Sequence, residues 1–156
     1  KISLLSNIAS FLVLDENYSE ALKVNNKVIE ESGLNFKNDL HRFAKILNLI
    51  IHYELGNYDH LEYILEGTIK FFREKNILFK AEKLLFTHFK RIIKEDESKH
   101  NELFGEFHFN LKKLEIDDHV RSLFSMFDFI SWAYSKAENI SVVNILKNNR
   151  SKAKNG

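Results

Sequence analysis

The chain has 156 residues, a formal net charge of +1, and 44% apolar against 29% charged residues. That length bounds it to one domain of ordinary size, and the balance excludes a disordered chain and argues against a strong polyanion binder. Cysteine and proline are absent and glycine numbers only 5, which removes disulfides, thiol catalysis and Cys-ligated zinc and leaves a chain that reads as helix nearly throughout.

Ile2, Leu5, Ile8, Ala9 and Leu12 recur at three and four residues and predict a first helix that fades at Asp15-Glu16-Asn17. Tyr18, Ala21, Leu22, Asn25, Val28 and Ile29 predict a second, begun at Asn17 with Glu20 three residues on and stopped by Gly33. A third spans Leu40 to Leu55, with Asp39 as its N-cap. It is apolar on two faces, Leu40, Ala44, Leu47 and Ile51 on one and Phe43, Ile46, Ile50 and Tyr53 on the other. Such a helix is covered from more than one side.

Gly56-Asn57 ends the third helix, and Asp59 with Glu62 repeats the capping-box pattern. Leu61, Ile64, Leu65, Thr68, Ile69 and Phe72 line a fourth. After the joint Lys75-Asn76, a fifth carries Ile77, Ala81, Leu85, His88, Phe89 and Ile92. The acidic stretch Glu95-Asp96-Glu97 precedes a sixth, with Leu103, Phe104, Phe107, Leu111 and Leu114 on one face. A seventh runs from about Asp117 through Val120, Leu123, Phe127 and Ile130 to Tyr134, and Ser141 caps a short eighth. Residues 1–146 are thus read as one helical-repeat domain. Residues 147–156, with four cations and no acid, are read as a basic mobile tail.

Short joints make successive helices antiparallel neighbours. Asn17-Tyr18 and Asn57-Tyr58 stand 40 residues apart, each in a turn between two helices. Ala9 then lies over Leu49, Leu12 over His52, Ala21 over Leu61 and Val28 over Thr68. A helix, a tight Asn-Tyr turn and a second helix therefore occur twice at one spacing.

Ala9-x-x-Leu12, Tyr18-x-x-Ala21 and Val28 resemble the tetratricopeptide repeat, a helix-turn-helix unit of about 34 residues. The second copy keeps Gly56 and Tyr58 at the turn and carries Leu49, Leu61 and Thr68 where that motif prefers small residues. Arg42 to Lys94, with Phe127-Asp128-Phe129-Ile130-Ser131-Trp132 near the end, is similar to the C-terminal part of a group of uncharacterised bacterial tetratricopeptide-repeat proteins. The resemblance implies a C-terminal fragment of a longer helical-repeat protein and attaches no activity to it. The expected fold is all-α: antiparallel helical hairpins stacked as a short, right-handed, tetratricopeptide-like α-solenoid. Its concave surface is expected mainly from the first helix of each hairpin.

No HExxH is present, and a single Glu97-x-x-His100 falls short of the two such pairs a di-iron bundle needs. Glycine-rich phosphate loops and GxSxG are absent too. His88 falls within an apolar stripe and reads as a core histidine. Asp117-Asp118-His119 reads as a helix start, where acids suit the dipole. No carboxylate sits in an apolar run that would raise its pKa. The expectation is no enzyme, no cofactor and no metal.

Charge is segregated along the chain: net −4 over residues 1–69, +6 over 70–94, −5 over 95–118 and +4 over 119–156. The basic block also holds Phe71, Phe72, Phe79, Phe86 and Phe89. It reads either as a nucleic-acid groove or as a basic hairpin stacked on the acidic sixth helix, and overall charge balance favours the second.

The leading functional expectation is a non-catalytic protein-interaction module for a peptide or protein partner. Asn48 and His52 of the third helix and Lys83, Phe86 and Lys90 of the fifth are expected to line its groove. The competing readings are a nucleic-acid-binding α-solenoid using residues 70–94 and a helical metal protein or enzyme using scattered His and Glu. Self-association is expected through an apolar flank at Ile2, Leu5 and Leu12. No run reaches membrane-spanning length, and a cytoplasmic location is the default expectation.

Overall fold

A computed structural model describes residues 1–33 and 39–156. Among the described residues the chain forms nine α-helices, one 3-10 turn and no strand. They are α1 (Ile2–Leu14), α2 (Tyr18–Ser32), α3 (Asp39–Glu54), α4 (Tyr58–Glu74), α5 (Lys80–Lys94), the 3-10 turn Glu97–Lys99, α6 (His100–Lys112), α7 (Asp118–Met126), α8 (Phe129–Glu138) and α9 (Val142–Asn155). Each helix from α1 to α5 packs on the next, and α6 packs on α8. The fold is the expected all-α stack of helical hairpins.

The turns at the repeat spacing share one backbone solution. Glu16 and Gly56 both take the left-handed conformation, at φ 61° and 71°. In each turn the following asparagine donates its backbone N–H five residues back, Asn17 to Leu12 O at 2.9 Å and Asn57 to His52 O at 3.0 Å. The carbonyl of that asparagine then accepts from Ala21 in one copy and Leu61 in the other, opening the next helix. Orphan carbonyls of the first helix are thereby satisfied while the chain reverses. Asn76 and Asn139 make the same left-handed exit, both at φ 55°.

Helix α3 is the centre of the molecule. Ile46, Leu47, Leu49, Ile50 and Ile51 are each wholly buried, as its two apolar faces require. Helices α1, α2 and α4 pack against it, and α7 and α8 close on it from the far end of the chain. Asp39 is the first residue of α3 rather than its cap, and the residue before it lies outside those described.

Four expectations are corrected. The single seventh helix is two, because Phe127 is extended and the Asp128 carboxylate caps α8, accepting from the Ser131 N–H at 2.8 Å and the Ser131 hydroxyl at 2.7 Å. The predicted eighth helix, here α9, continues through residues 147–155, fully exposed beyond Leu146. The concave face expected from the first helices is covered by the chain itself. Ser10 of α1 donates to Met126 O at 3.1 Å, Phe79 before α5 stacks on His119 of α7, and Glu54 of α3 accepts from Trp132 and Lys136 of α8. The exposed apolar side chains of α1 are Leu4, Ile8 and Phe11 rather than Ile2, Leu5 and Leu12.

Candidate partner-binding surface

With the first-helix face covered, an open groove of about 700 Å³ lies between α2 and α4, floored by α3. Asn26 and Ile29 of α2, Lys45 and Asn48 of α3, and Tyr63 and Gly67 of α4 line it. The buried Asn25 amide donates to Ala44 O at 2.9 Å and fixes α2 on α3. Gly67 leaves open space where any other residue would place a Cβ. Tyr63, off the apolar stripe of α4, stands 74% exposed at the rim.

Two groups on the floor bear on binding. The Asn48 Oδ1 atom is buried and has no hydrogen-bond partner among the described residues. An amide oxygen left so costs about 1–3 kcal/mol, which an incoming N–H donor recovers. The Lys45 ammonium lies 4.8 Å from the centre of the Phe71 ring, and burial lowers its pKa from the usual lysine range. That placement is a partly desolvated cation–π contact.

His52 lies behind the groove, buried, with its ring edge-on to His60 at 4.7 Å. Burial, and then His60, hold its pKa below the ordinary histidine value. His60 stacks in turn on Tyr63, with ring centres 6.3 Å apart. An aromatic run thus leads from the core at His52 to the exposed rim.

A second trough, of about 330 Å³, lies on the other side of α4, lined by Glu62, Leu65, Glu66 and Ile69 with Lys90, Ile93 and Lys94 of α5. Glu66 borders both depressions. The five residues singled out in the sequence are therefore not brought into one groove. Asn48 lines the first trough and Lys90 the second. Lys83 is exposed outside both, and His52 is buried. Phe86 belongs to the core, edge-on to Phe72 at 5.2 Å. Lys45, Tyr63 and Gly67 were missed. The off-stripe position of Tyr63 is the one sequence signal that could have found it.

The basic segment meets acidic neighbours inside the molecule. Arg91 pairs with Glu106, and Lys80 with Glu115 at 3.3 Å. Phe72, Phe86 and Phe89 are buried, and Phe71 and Phe79 are half-buried, so three of the five rings are withdrawn from stacking on bases.

His41, His88 and His100 are buried between helices. His41 meets the Ser32 hydroxyl at 2.9 Å. His100 places Nε2 3.1 Å from Ile92 O, and His88 stacks on Phe107 at 4.1 Å. Among the described residues no three His, Asp or Glu side chains are grouped to hold a metal ion. One carboxylate departs from expectation: burial pushes the Glu82 carboxyl above the ordinary glutamate range. The residues that bury it come from α3 and α7, distant in sequence.

Comparison with known proteins found no matching family model, no matching curated protein and no matching solved structure.

Proposed function

We propose that this chain is a non-catalytic interaction module, a tetratricopeptide-like scaffold, that holds a peptide or protein partner along the α2–α4 face. The observation that carries the reading is the buried Asn48 carbonyl oxygen without a partner, at the floor of a groove with Tyr63 exposed on its rim. A partner backbone N–H completes Asn48, and the flat Tyr63 ring supplies contact area with little rotamer entropy to lose. Lys70 and Glu66 on the rim set the polarity of what lies across it.

A photo-crosslinking residue at Tyr63, with the same residue at exposed Phe109 of α6 as control, tests this in cells of the source organism. A discrete adduct from position 63 and not from 109, lost on Asn48→Leu, supports the reading. The same adducts from both positions, or an adduct indifferent to Asn48→Leu, removes it.

A further inference from the structure

A separate cavity of about 270 Å³ opens where the N-terminal ends of α3, α5 and α7 meet. Asp39 and Arg42 of α3, Phe79 and Glu82 at the start of α5, and His119 and Ser122 of α7 form its working walls. It uses a different face of α3 from the partner groove, and nothing in its reading depends on that groove.

Glu82 is the third residue of α5 and only 6% exposed. It stands at the capping-box position, three residues after the N-cap Phe79, where the backbone N–H groups of Glu82 and Phe79 favour its charged form. The Oε2 atom is buried and has no partner among the described residues. Helix capping thus explains part of this side chain and leaves one oxygen over.

The other charges around the cavity are already matched. Arg42 pairs with Asp39, whose second oxygen accepts from the Ser122 hydroxyl at 3.4 Å. Asp118, at the mouth, pairs with Arg121 at 3.0 Å. Among the described residues, Glu82 is the cavity carboxylate without an ion pair. Burial is the largest influence on it, and Arg42 and His119 only partly offset that. Beside it the His119 ring lies flat on Phe79, with ring centres 3.8 Å apart and planes 13° from parallel. The cavity therefore combines an unpaired buried oxygen acceptor with an aromatic wall.

We propose that this cavity binds an organic cation, a primary ammonium or guanidinium group whose N–H bonds reach Glu82 Oε2 while its alkyl stem lies on the Phe79–His119 wall. A buried carboxylate is stabilised by a partner that brings both charge and N–H donors. A bare metal ion does not fit, because no grouping of three ligands exists among the described residues. An anion does not fit either, because the carboxylates of Asp39, Asp118 and Glu82 outnumber the one arginine on the walls.

The same headgroup occurs on a free amine and on a lysine or arginine side chain, and titration of the full chain separates the two. The probes are n-butylammonium, n-propylguanidinium, an acetylated alanine hexapeptide with one central lysine, and neutral n-butyramide. The readout is amide shifts of Phe79, Glu82, His119 and Ser122 in 1H–15N spectra. Saturating shifts at these four positions are expected for the cations and not for butyramide. Glu82→Gln weakens binding at least about tenfold while the spectrum stays dispersed. Ser122→Phe, which fills the mouth from a half-buried position, abolishes binding. It carries the test alone if Glu82→Gln fails to fold. Stronger binding of the free cations assigns the site to small amines, and equal or stronger binding of the peptide assigns it to a side chain. The proposal is overturned if no cation saturates below about 10 mM, if butyramide binds as well, or if both variants bind like the parent.

Discussion

Glu54→Ala is the perturbation that most directly tests how the C-terminal helices are held. Glu54 is the last residue of α3, with a side chain 6% exposed. The Trp132 indole N–H donates to its Oε1 at 2.7 Å and the Lys136 ammonium to its Oε2 at 2.6 Å. The Tyr18 hydroxyl of α2 lies beside this carboxylate, which helps raise the tyrosine pKa. Removing it strands the indole N–H of a residue 2% exposed, at about 1–3 kcal/mol. The Lys136 side chain is 27% exposed and recovers part of its hydration, so its share is discounted to about 1 kcal/mol. The expected loss is therefore about 3 kcal/mol, or about 6–12 °C in Tm at this chain length. Trp132 is the sole tryptophan, so urea unfolding followed by its fluorescence reads the site itself. Glu54→Gln, which keeps an acceptor for the indole, is expected to lose about half as much. A Glu54→Ala loss under about 0.5 kcal/mol would refute the reasoning. So would a double-mutant cycle with Lys136→Met that shows no coupling.

Four further outcomes are expected. Gly56→Ala costs about 1–2 kcal/mol in chemical denaturation, because φ 71° strains any side chain although the space around it is empty. Glu16→Gly, at φ 61° in the matching turn, stabilises by about 0.5 kcal/mol or more, strain relief outweighing the added backbone entropy. Asp128→Ala removes the two capping bonds of α8, costs about 1–2 kcal/mol, and speeds hydrogen exchange at Ser131. His88 is held neutral by burial, with its pKa lowered from 6.5 to about 3. Below pH 6.5 the unfolded chain takes up a proton that the folded chain refuses, so stability present at pH 7 is lost as pH falls toward 3. The loss attributable to this group is about 2.7 kcal/mol by pH 4.5. Urea midpoints of His88→Leu should fall correspondingly less between pH 7 and 4.5. His41 and His52, shifted the same way, leave a residual slope.

Helices α1 to α6 were legible because the stripe each buries is written at three- and four-residue spacing within its own segment. Periodicity misled at Phe124, Phe127 and Ile130, where the apolar pattern runs across a break that the Asp128–Ser131 cap imposes. Across the break Phe127 and Phe129 are both buried, so the apolar pattern continues through it. Residues 147–155 have no apolar face, and only intrahelical bonding continues α9 there. The site was half legible. Asn48 and Lys90 do border open troughs. His52 and Phe86 lie off the core stripes that the spacing marks, yet they are buried, His52 against His60 and Phe86 against Phe72, both of the adjacent α4. Glu82 was invisible for a different reason. Its burying neighbours Arg42 and His119 each lie about forty residues away in sequence.

The return of α7 and α8 onto the first helices changes what kind of object the stack is. In an open array each hairpin contacts only its neighbours, and stability is close to a sum over adjacent pairs. Here Ser10 meets Met126, Asp39 meets Ser122 and Glu54 meets Trp132, which ties α1 and α3 to segments 78 to 116 residues distant. Such closures couple the first hairpin to the last, so loss of the α8 anchor is felt in α1. They also divide the faces of α3 between two tasks. The face bearing Phe43, Ile46 and Tyr53 is given over to the chain's own C-terminal helices. The face bearing Lys45 and Asn48 keeps a polar atom without a partner in an open groove. A partner that needed the first face would first have to displace the Trp132 anchor, at about the cost worked out for Glu54. A partner on the second face displaces nothing, and that difference is the ground for proposing the α2–α4 side as the binding surface.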